Sequence, residues 1–122
     1  IQEAIDYSMD GDTILVSAGT YYENINFNGK NIALIGEDRE ITIIDGGQNG
    51  SVVTFESGED LMTILSEFKL INGSGTIPEN SDEYCGGGIF INNTSSVQIN
   101  NCIITSNNAY SGTAIYASNS HL

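Results

Sequence analysis

The hydrophobic positions of this chain follow two different periods. Ile1, Ala4, Ile5 and Met9 recur at helical spacing, which predicts one short amphipathic helix over residues 1–9. Beyond it the apolar residues alternate with a period of two, in short runs separated mostly by Gly, Asn, Asp or Ser, and such runs are typical of strands. The predicted strands are 13–16, 24–27, 31–35, 41–44, 52–55, 63–65, 68–70, 89–91, 97–99, 102–104 and 114–116.

The strand pattern repeats along the chain. The run 88–92 recurs at 114–118, and the run 63–73 recurs, at a wider spacing, at 97–107. An inserted polar loop at about 75–84, which carries the only Pro, accounts for the difference between the two spacings. Three short strands in each repeat predict one triangular coil of a solenoid, in which a coil buries its apolar face only against its neighbours.

These patterns predict an all-β fold, a right-handed parallel β-helix (solenoid) with a short N-terminal capping helix. The domain organisation follows: residues 1–122 form a single segment, with the cap at 1–9 and the coils at 13–122, and we expect it to be an excerpt of a longer chain. A β-sandwich also uses short strands and turns. The fixed coil period and the opening helix favour the solenoid.

Stacking of the coils makes specific predictions about neighbours. Ile89 is expected beside Ile115, and Phe68 beside Cys102, on adjacent coils. The separation of Cys85 and Cys102 along the sequence does not match the coil period, so the two cysteines are expected to be free thiols. Cys102 falls at an inward position, where a thiol acts as a small apolar group.

The charge of the chain excludes several classes of partner. Its formal net charge is −13, from 16 acidic residues against three basic ones. Nucleic acids and anionic lipids bind to clustered cations, so neither is expected as a partner. A polyanionic substrate such as pectate is repelled unless calcium bridges it to the protein. No apolar run reaches the ~18 residues of a membrane span, so membrane insertion is not expected.

Several segments resemble known families. The opening of the chain resembles the start of the pectin-lyase-like β-helix superfamily, and pectinesterases begin in a similar way, through segments 1–6, 11–14, 19–24 and 30–36. Segments 86–90 and 101–109 resemble bacterial right-handed β-helix repeat proteins, many of which are large and secreted. The resemblance covers nearly the whole chain and implies the fold more strongly than an activity, because one fold carries many functions.

The catalytic segments of these families are missing from the chain. Pectinesterases use a Gln, two Asp and an Arg in Gln-Asp-Thr and Gly-Arg-Pro-Trp surroundings, and neither motif occurs here. Lyases of this fold need an Arg or Lys base beside a calcium ion, and Lys30, Arg39 and Lys69 are the whole supply of basic side chains. We therefore expect this segment to have no catalytic residues and no obligatory cofactor.

Aromatic side chains are the candidate ligand-binding residues. Rings stack on sugars, and neighbouring Asn and Ser side chains supply neutral hydrogen bonds. The aromatic residues that suit this role are Tyr21, Tyr22, Tyr84, Phe90, Tyr110 and Tyr116, and the chosen candidates are Tyr21, Tyr22, Tyr84 and Tyr110.

Acidic side chains suggest two further sites. In the inserted loop, Glu79, Asp82 and Glu83 offer oxygen ligands that calcium prefers, although their spacing matches no calcium motif and solvated acids are the simpler explanation. A glycosidase needs a carboxylate pair. Sixteen acids produce such pairs by chance, so this interpretation is not favoured for the available acids Asp45, Glu56, Glu59, Asp60 and Glu67.

The sequence therefore favours a non-catalytic β-helical repeat module of a secreted or cell-surface bacterial protein that serves in adhesion or glycan binding. Its expected partners are a polysaccharide or another surface or secretion protein. One alternative is the N-terminal part of a carbohydrate-active enzyme, of pectinesterase or polysaccharide lyase type, with catalytic residues beyond residue 122. Another alternative is an exported fragment captured by a secretion machine.

Overall fold

The computed structural model describes residues 1–93 and 95–119, which form one helix and twelve short strands. The elements are α1 (Gln2–Tyr7), β1 (Thr13–Val16), β2 (Gly19–Tyr22), β3 (Ile25–Asn26), β4 (Ala33–Gly36), β5 (Thr42–Asp45), β6 (Val53–Phe55), β7 (Ile64–Ser66), β8 (Lys69–Ile71), β9 (Ile89–Ile91), β10 (Gln98–Asn100), β11 (Ile103–Ile104) and β12 (Ile115–Ala117).

The strands form three four-stranded sheets, and every pairing between named strands is parallel. The first sheet has the order β1-β4-β7-β10, the second β2-β5-β8-β11 and the third β3-β6-β9-β12. The chain therefore visits the three sheets in the same order on each of four coils. This all-β arrangement is consistent with a parallel β-helix.

The register between coils agrees with the predicted repeats. Ile115 pairs with Ile89, as the recurrence of the run 88–92 at 114–118 requires. Ile103 pairs with Lys69, and continuing this register back by one residue places Cys102 opposite Phe68. The predicted parallel stacking of these neighbours is confirmed.

The core lies between the three sheets and is built from the inward row of each strand. Inward residues stack in register, for example Leu34 on Leu65 in the first sheet and Ile44 on Leu70 in the second. Phe27 and Phe55 pack with ring centroids 4.5 Å apart. Burial of each such side chain stabilises the fold by about 1.5–3 kcal/mol, so the stacked rows supply the main favourable term.

The helix closes one end of the stack. Ile5 is fully buried against the first coil. The Gln2 side chain hydrogen-bonds to the backbone of β3. Its Nε2 donates to the Asn26 carbonyl oxygen (2.8 Å), and its Oε1 accepts from the Asn26 N–H (2.7 Å). The helix was predicted over residues 1–9, but it ends at Tyr7 because Ser8 is extended.

Glu23 ties the start of the helix to the first coil. Its carboxylate accepts from the Ile1 amino group at 2.8 Å and from the Gln2 N–H at 2.9 Å. Partial burial raises the pKa of Glu23, but these two donors and the charge of the amino group outweigh it, so the pKa lies below its usual value.

Left-handed corners explain much of the Asn content. Asn93 and Asn119 have φ of 55° and 50° at the end of the third-sheet strand on successive coils. Glu67 and Asn101 have φ of 65° and 51° between the first and second sheets. Asn tolerates this conformation better than most residues with a side chain. The corners thus recur with the coil.

Strand β2 was not predicted. It begins at a glycine and contains no aliphatic residue, and only Tyr21 packs inward from it against the core. The sequence signal of alternating aliphatic residues is therefore absent, although the ladder to β5 covers all four of its residues.

Within the described ranges 1–93 and 95–119, no helix is long and apolar enough to cross a membrane.

Candidate functional site: a groove between the inserted loop and the third sheet

The inserted loop lies between β8 and β9 and is closed at its base. Thr76 and Cys85 form an antiparallel bridge with two N–H to carbonyl hydrogen bonds of 2.8 Å. The buried Ser51 hydroxyl lies 2.8 Å from Thr76 Oγ1 and donates to the Gly86 carbonyl oxygen at 2.6 Å. Residues 79–84 between these anchors are exposed, so the inserted loop projects from the stacked coils.

The loop covers part of the outer face of the third sheet. Ile89 and Ile91 belong to the core, so Phe90 between them points to the opposite face. Phe90 is nevertheless only 1% exposed, since Ile77 and Pro78 of the loop lie over it. Its ring stacks on that of Tyr116 of the next coil, with centroids 5.6 Å apart and an interplanar angle of 8°.

Two adjoining cavities lie between the loop and the sheet, and we call them together the loop groove. The inner compartment, about 160 Å³, is bordered by Glu56 and, at its base, by the nearly buried Phe90. The outer one, about 370 Å³, extends over Tyr116. Four residues border both compartments and join them: Pro78, Glu79, Asn92 and Asn93.

The sheet side of the loop groove repeats with the coil. Phe90 is followed one coil later by Tyr116, Asn92 by Ser118, and Asn93 by Asn119. Adjacent strands are about 4.8 Å apart, so the polar and amide groups recur along the coil axis at that interval, while Tyr116 supplies the one partly exposed ring of the pair. The arrangement suits an elongated ligand made of repeating polar units.

Among the described residues, no basic side chain lines the loop groove. The ammonium group of Lys30 donates to the Ser8 carbonyl oxygen at 2.6 Å, at the helix end of the molecule. Lys69 lies in the second sheet, and Arg39 is exposed in the turn before β5. Glu56 and Glu79 are therefore the charged groups of the described groove lining, and they make its potential negative.

The four tyrosines chosen from the sequence do not line this groove. Tyr21 packs against the core and donates its hydroxyl to the Ser17 carbonyl oxygen at 2.7 Å. Tyr22 is 77% exposed on the second sheet. Tyr84 and Tyr110 are both exposed and adjacent, because the Tyr110 N–H donates to the Tyr84 carbonyl oxygen at 2.9 Å.

The acids proposed as calcium ligands are exposed on the inserted loop. Glu79 borders the groove, and Asp82 and Glu83 do not. Across the part of the chain that the structure describes, no group of three or more His, Cys, Asp or Glu side chains is placed to hold a metal ion.

The acids considered for a glycosidase pair mostly serve the fold. Glu59 is 1% exposed and accepts from the Gly29 N–H (2.8 Å), the Ser57 N–H (3.1 Å) and the Ser95 hydroxyl (2.6 Å), which links three coils. Asp45 accepts from the Asn72 amide at 3.0 Å. Such contacts stabilise corners rather than prepare a proton transfer.

Both cysteines are free, as predicted. Burial raises the pKa of the Cys85 thiol, and the nearby charge of Glu83 raises it further. Burial also raises the pKa of the Cys102 thiol, beyond the lowering by backbone hydrogen bonds. Neither thiol is therefore activated as a nucleophile at neutral pH.

Phe90 and Tyr116 were among the aromatic residues noted in the sequence but were not chosen as candidates, whereas Asn92, Asn93 and Asn119 were missed. A signal existed, because an aromatic residue occupies the outward position of the strand in both repeats, at 90 and 116. The cover supplied by the loop could not be read from periodicity.

The chain matches no protein-family model, no curated protein and no solved structure at a significant level.

Proposed function

We propose that the chain is a non-catalytic, right-handed parallel β-helical module of the pectin-lyase-like type. It belongs to a secreted or cell-surface bacterial protein and binds a polysaccharide through the loop groove. The three parallel sheets and the capping helix support the architecture. The resemblance of the opening and later segments supports the superfamily.

One observation carries the binding function: the stacked pair Phe90 and Tyr116, roofed by the inserted loop and flanked by Asn side chains. Carbohydrates present apolar ring faces edged by hydroxyls, so an aromatic floor with amide walls complements them. The repeat of these groups on two coils fits a linear chain lying along the coil axis. Adhesion to a glycan surface is the role that such a module serves.

The non-catalytic part of the proposal rests on chemistry. Lyases need a base beside the uronate and cations to neutralise it, whereas the described residues line the groove with two carboxylates and no basic side chain. We expect the purified chain to release neither unsaturated product nor methanol from pectin, with or without calcium. Turnover above the buffer blank, lost on substitution of Asp45, Glu67 or Lys69, contradicts this part.

The binding function is tested by the affinity of the chain for soluble neutral oligosaccharides, screened by isothermal titration calorimetry. Tyr116→Ala removes the accessible ring of the floor and is expected to weaken binding about twofold to tenfold, the range for lost stacking of about 0.5–1.5 kcal/mol. Tyr22→Ala is the matched control, since Tyr22 is an exposed tyrosine on a different sheet.

An affinity that falls equally in both variants, or only in Tyr22→Ala, places the ligand elsewhere. Failure of every neutral and charged oligosaccharide to bind overturns the function.

A further inference from the structure

We infer that the loop groove selects an amino sugar, a glycan unit that carries a free ammonium group, over a uronic acid. This inference rests on the proposed function and names its ligand class. The resemblance suggests polyuronate substrates, whereas the inferred ligand carries a positive charge. The charge and position of the groove residues support this difference.

The two carboxylates stand at defined places along the groove. Glu56 is half-buried at the inner compartment, where its Oε1 accepts from the Asn26 amide at 3.2 Å. A carboxylate has about four acceptor positions, so this contact leaves capacity for a ligand. Glu79 borders both compartments and is exposed. A ligand in the inner compartment thus has one carboxylate from the sheet and one from the loop.

The aromatic floor adds to the preference for a cation. The ring of Tyr116 is half-buried and stacked on Phe90, which holds its orientation. The face of an aromatic ring is electron-rich and attracts an ammonium group within about 6 Å of its centroid. Phe90 covers one face of Tyr116, so the opposite face is the one that can stack on the apolar side of a sugar and attract its ammonium group.

The carboxylate of a uronic acid is repelled by the same groove. This carboxylate must enter a groove whose described lining has two negative side chains and no basic one, in a chain of net charge −13. Partial burial of Glu56 weakens solvent screening and enlarges the repulsion. The amide side chains of Asn92 and Asn119 border the groove and suit the hydroxyl groups of all sugars alike, so they do not discriminate.

The test compares three oligomers of equal length: glucosamine, N-acetylglucosamine and galacturonic acid, at a pH where the amine is protonated. The glucosamine oligomer is expected to bind about fivefold tighter than the acetylated one, the range for ion pairs near a surface. The uronate oligomer is expected to bind weakest. Added salt should narrow all of these differences.

Substitution of the carboxylates assigns the effect to the groove. Glu79→Gln and Glu56→Gln should each lower the ratio of the affinity for the glucosamine oligomer to the affinity for the acetylated oligomer, toward a value of about one. Glu40→Gln, an equal loss of charge at an exposed acid in the turn before β5, is the control and should keep the preference.

The outcomes separate the two claims. Equal binding of the amine and acetylated oligomers overturns the amino-sugar inference and leaves the glycan-binding function intact. Tightest binding of the uronate also overturns the inference alone. Loss of the preference in Glu40→Gln as large as in Glu79→Gln shows bulk charge instead of a groove contact and overturns it too. No binding of any oligomer overturns both claims.

Discussion

Two corners of the coil differ in length and in how much that length varies between coils. On the third and fourth coils the corner from the first to the second sheet is short, 67–68 and 101–102, with its first residue left-handed. The corner from the second to the third sheet takes up 72–88 on the third coil and 105–114 on the fourth. The corner between the first and second sheets therefore keeps one length on these coils, whereas the corner between the second and third sheets admits an insertion.

The difference teaches where this architecture acquires a binding surface. Residues in the ladders and tight corners must match the coils above and below them. A longer excursion between two strands leaves the ladders intact, and the entropic cost of closing it grows only slowly with its length. The inserted loop therefore creates a groove on the third sheet without disturbing the core.

The strongest test of the fixed part of the coil is Gly36→Ala. Gly36 ends β4, and a Cβ there collides with the carbonyl oxygen of Glu67 in the tight corner of the next coil, so the backbone must move. We expect a loss of at least about 3 kcal/mol of unfolding free energy in urea, at or above the upper range for overpacking.

Gly46→Ala is the graded control. Its closest contacts are Val52 Cγ2 at 3.1 Å and the Asn72 carbonyl oxygen at 3.2 Å, so its neighbours need to move by only a small distance. A Gly36→Ala loss no larger than that of Gly46→Ala contradicts the tight stacking of the coils.

The insertion-tolerant part is tested by replacing residues 77–83 with a short Gly-Ser turn that keeps the bridge between Thr76 and Cys85. Uncovering Phe90 is expected to cost about 1–2 kcal/mol of unfolding free energy, since an aromatic side chain loses its cover on one face. Oligosaccharide binding should fall by more than tenfold.

The comparison holds if the loop replacement lowers the oligosaccharide affinity strongly and the unfolding free energy only slightly. Collapse of the fold, seen as loss of the cooperative urea transition, is the result that places the loop among the structural elements. Unchanged binding affinity removes the loop from the site.

Alkaline pH is expected to weaken the stack through its thiols. The pKa values of Cys85 and Cys102 are raised by burial, so the folded state favours the neutral thiol. Their contribution is fully present below the ordinary thiol pKa of about 8.5 and is lost as the pH rises through the folded values. Unfolding free energy should decline over that alkaline range.

A Cys85→Ala/Cys102→Ala variant supplies the comparison, because it removes both thiols and keeps every other ionisable group. Its alkaline decline should be shallower than that of the wild type. Identical slopes for the two proteins contradict the role given to the thiols.

The smallest expected effect concerns the tight corner itself. Glu67 has a φ of 65° at the position that Asn101 occupies one coil later. Glu67→Asn should raise the unfolding free energy by roughly 0.5–1 kcal/mol, since a left-handed conformation costs most residues about 1–2 kcal/mol and Asn less. The reverse exchange Asn101→Glu should lower it, and a gain from both exchanges contradicts the equivalence of the corners.

The sequence predicted the elements whose residues alternate in burial. The runs of aliphatic residues became strands because each supplies inward side chains to a shared core, and the two repeat spacings set the register of Ile89 with Ile115 and Leu65 with Ile99. β2 escaped prediction because Tyr21 is its only residue in the core.

The candidate site was harder to predict than the fold. An exposed tyrosine such as Tyr22 and a groove-lining one such as Tyr116 have the same local pattern in the sequence. What distinguishes them is the loop above the third sheet, which depends on how residues 75–84 fold back. Periodicity records which side of a strand a residue takes, but it does not record what covers that side.

The central claim, that the loop groove binds a glycan chain, is tested most directly by an amide NMR titration with a glucosamine oligomer. The account predicts concentration-dependent shifts for Glu79, Asn92, Tyr116 and Asn119, while Leu15 of the first sheet stays unchanged. Shifts that spare these four residues and gather on the first or second sheet would contradict it.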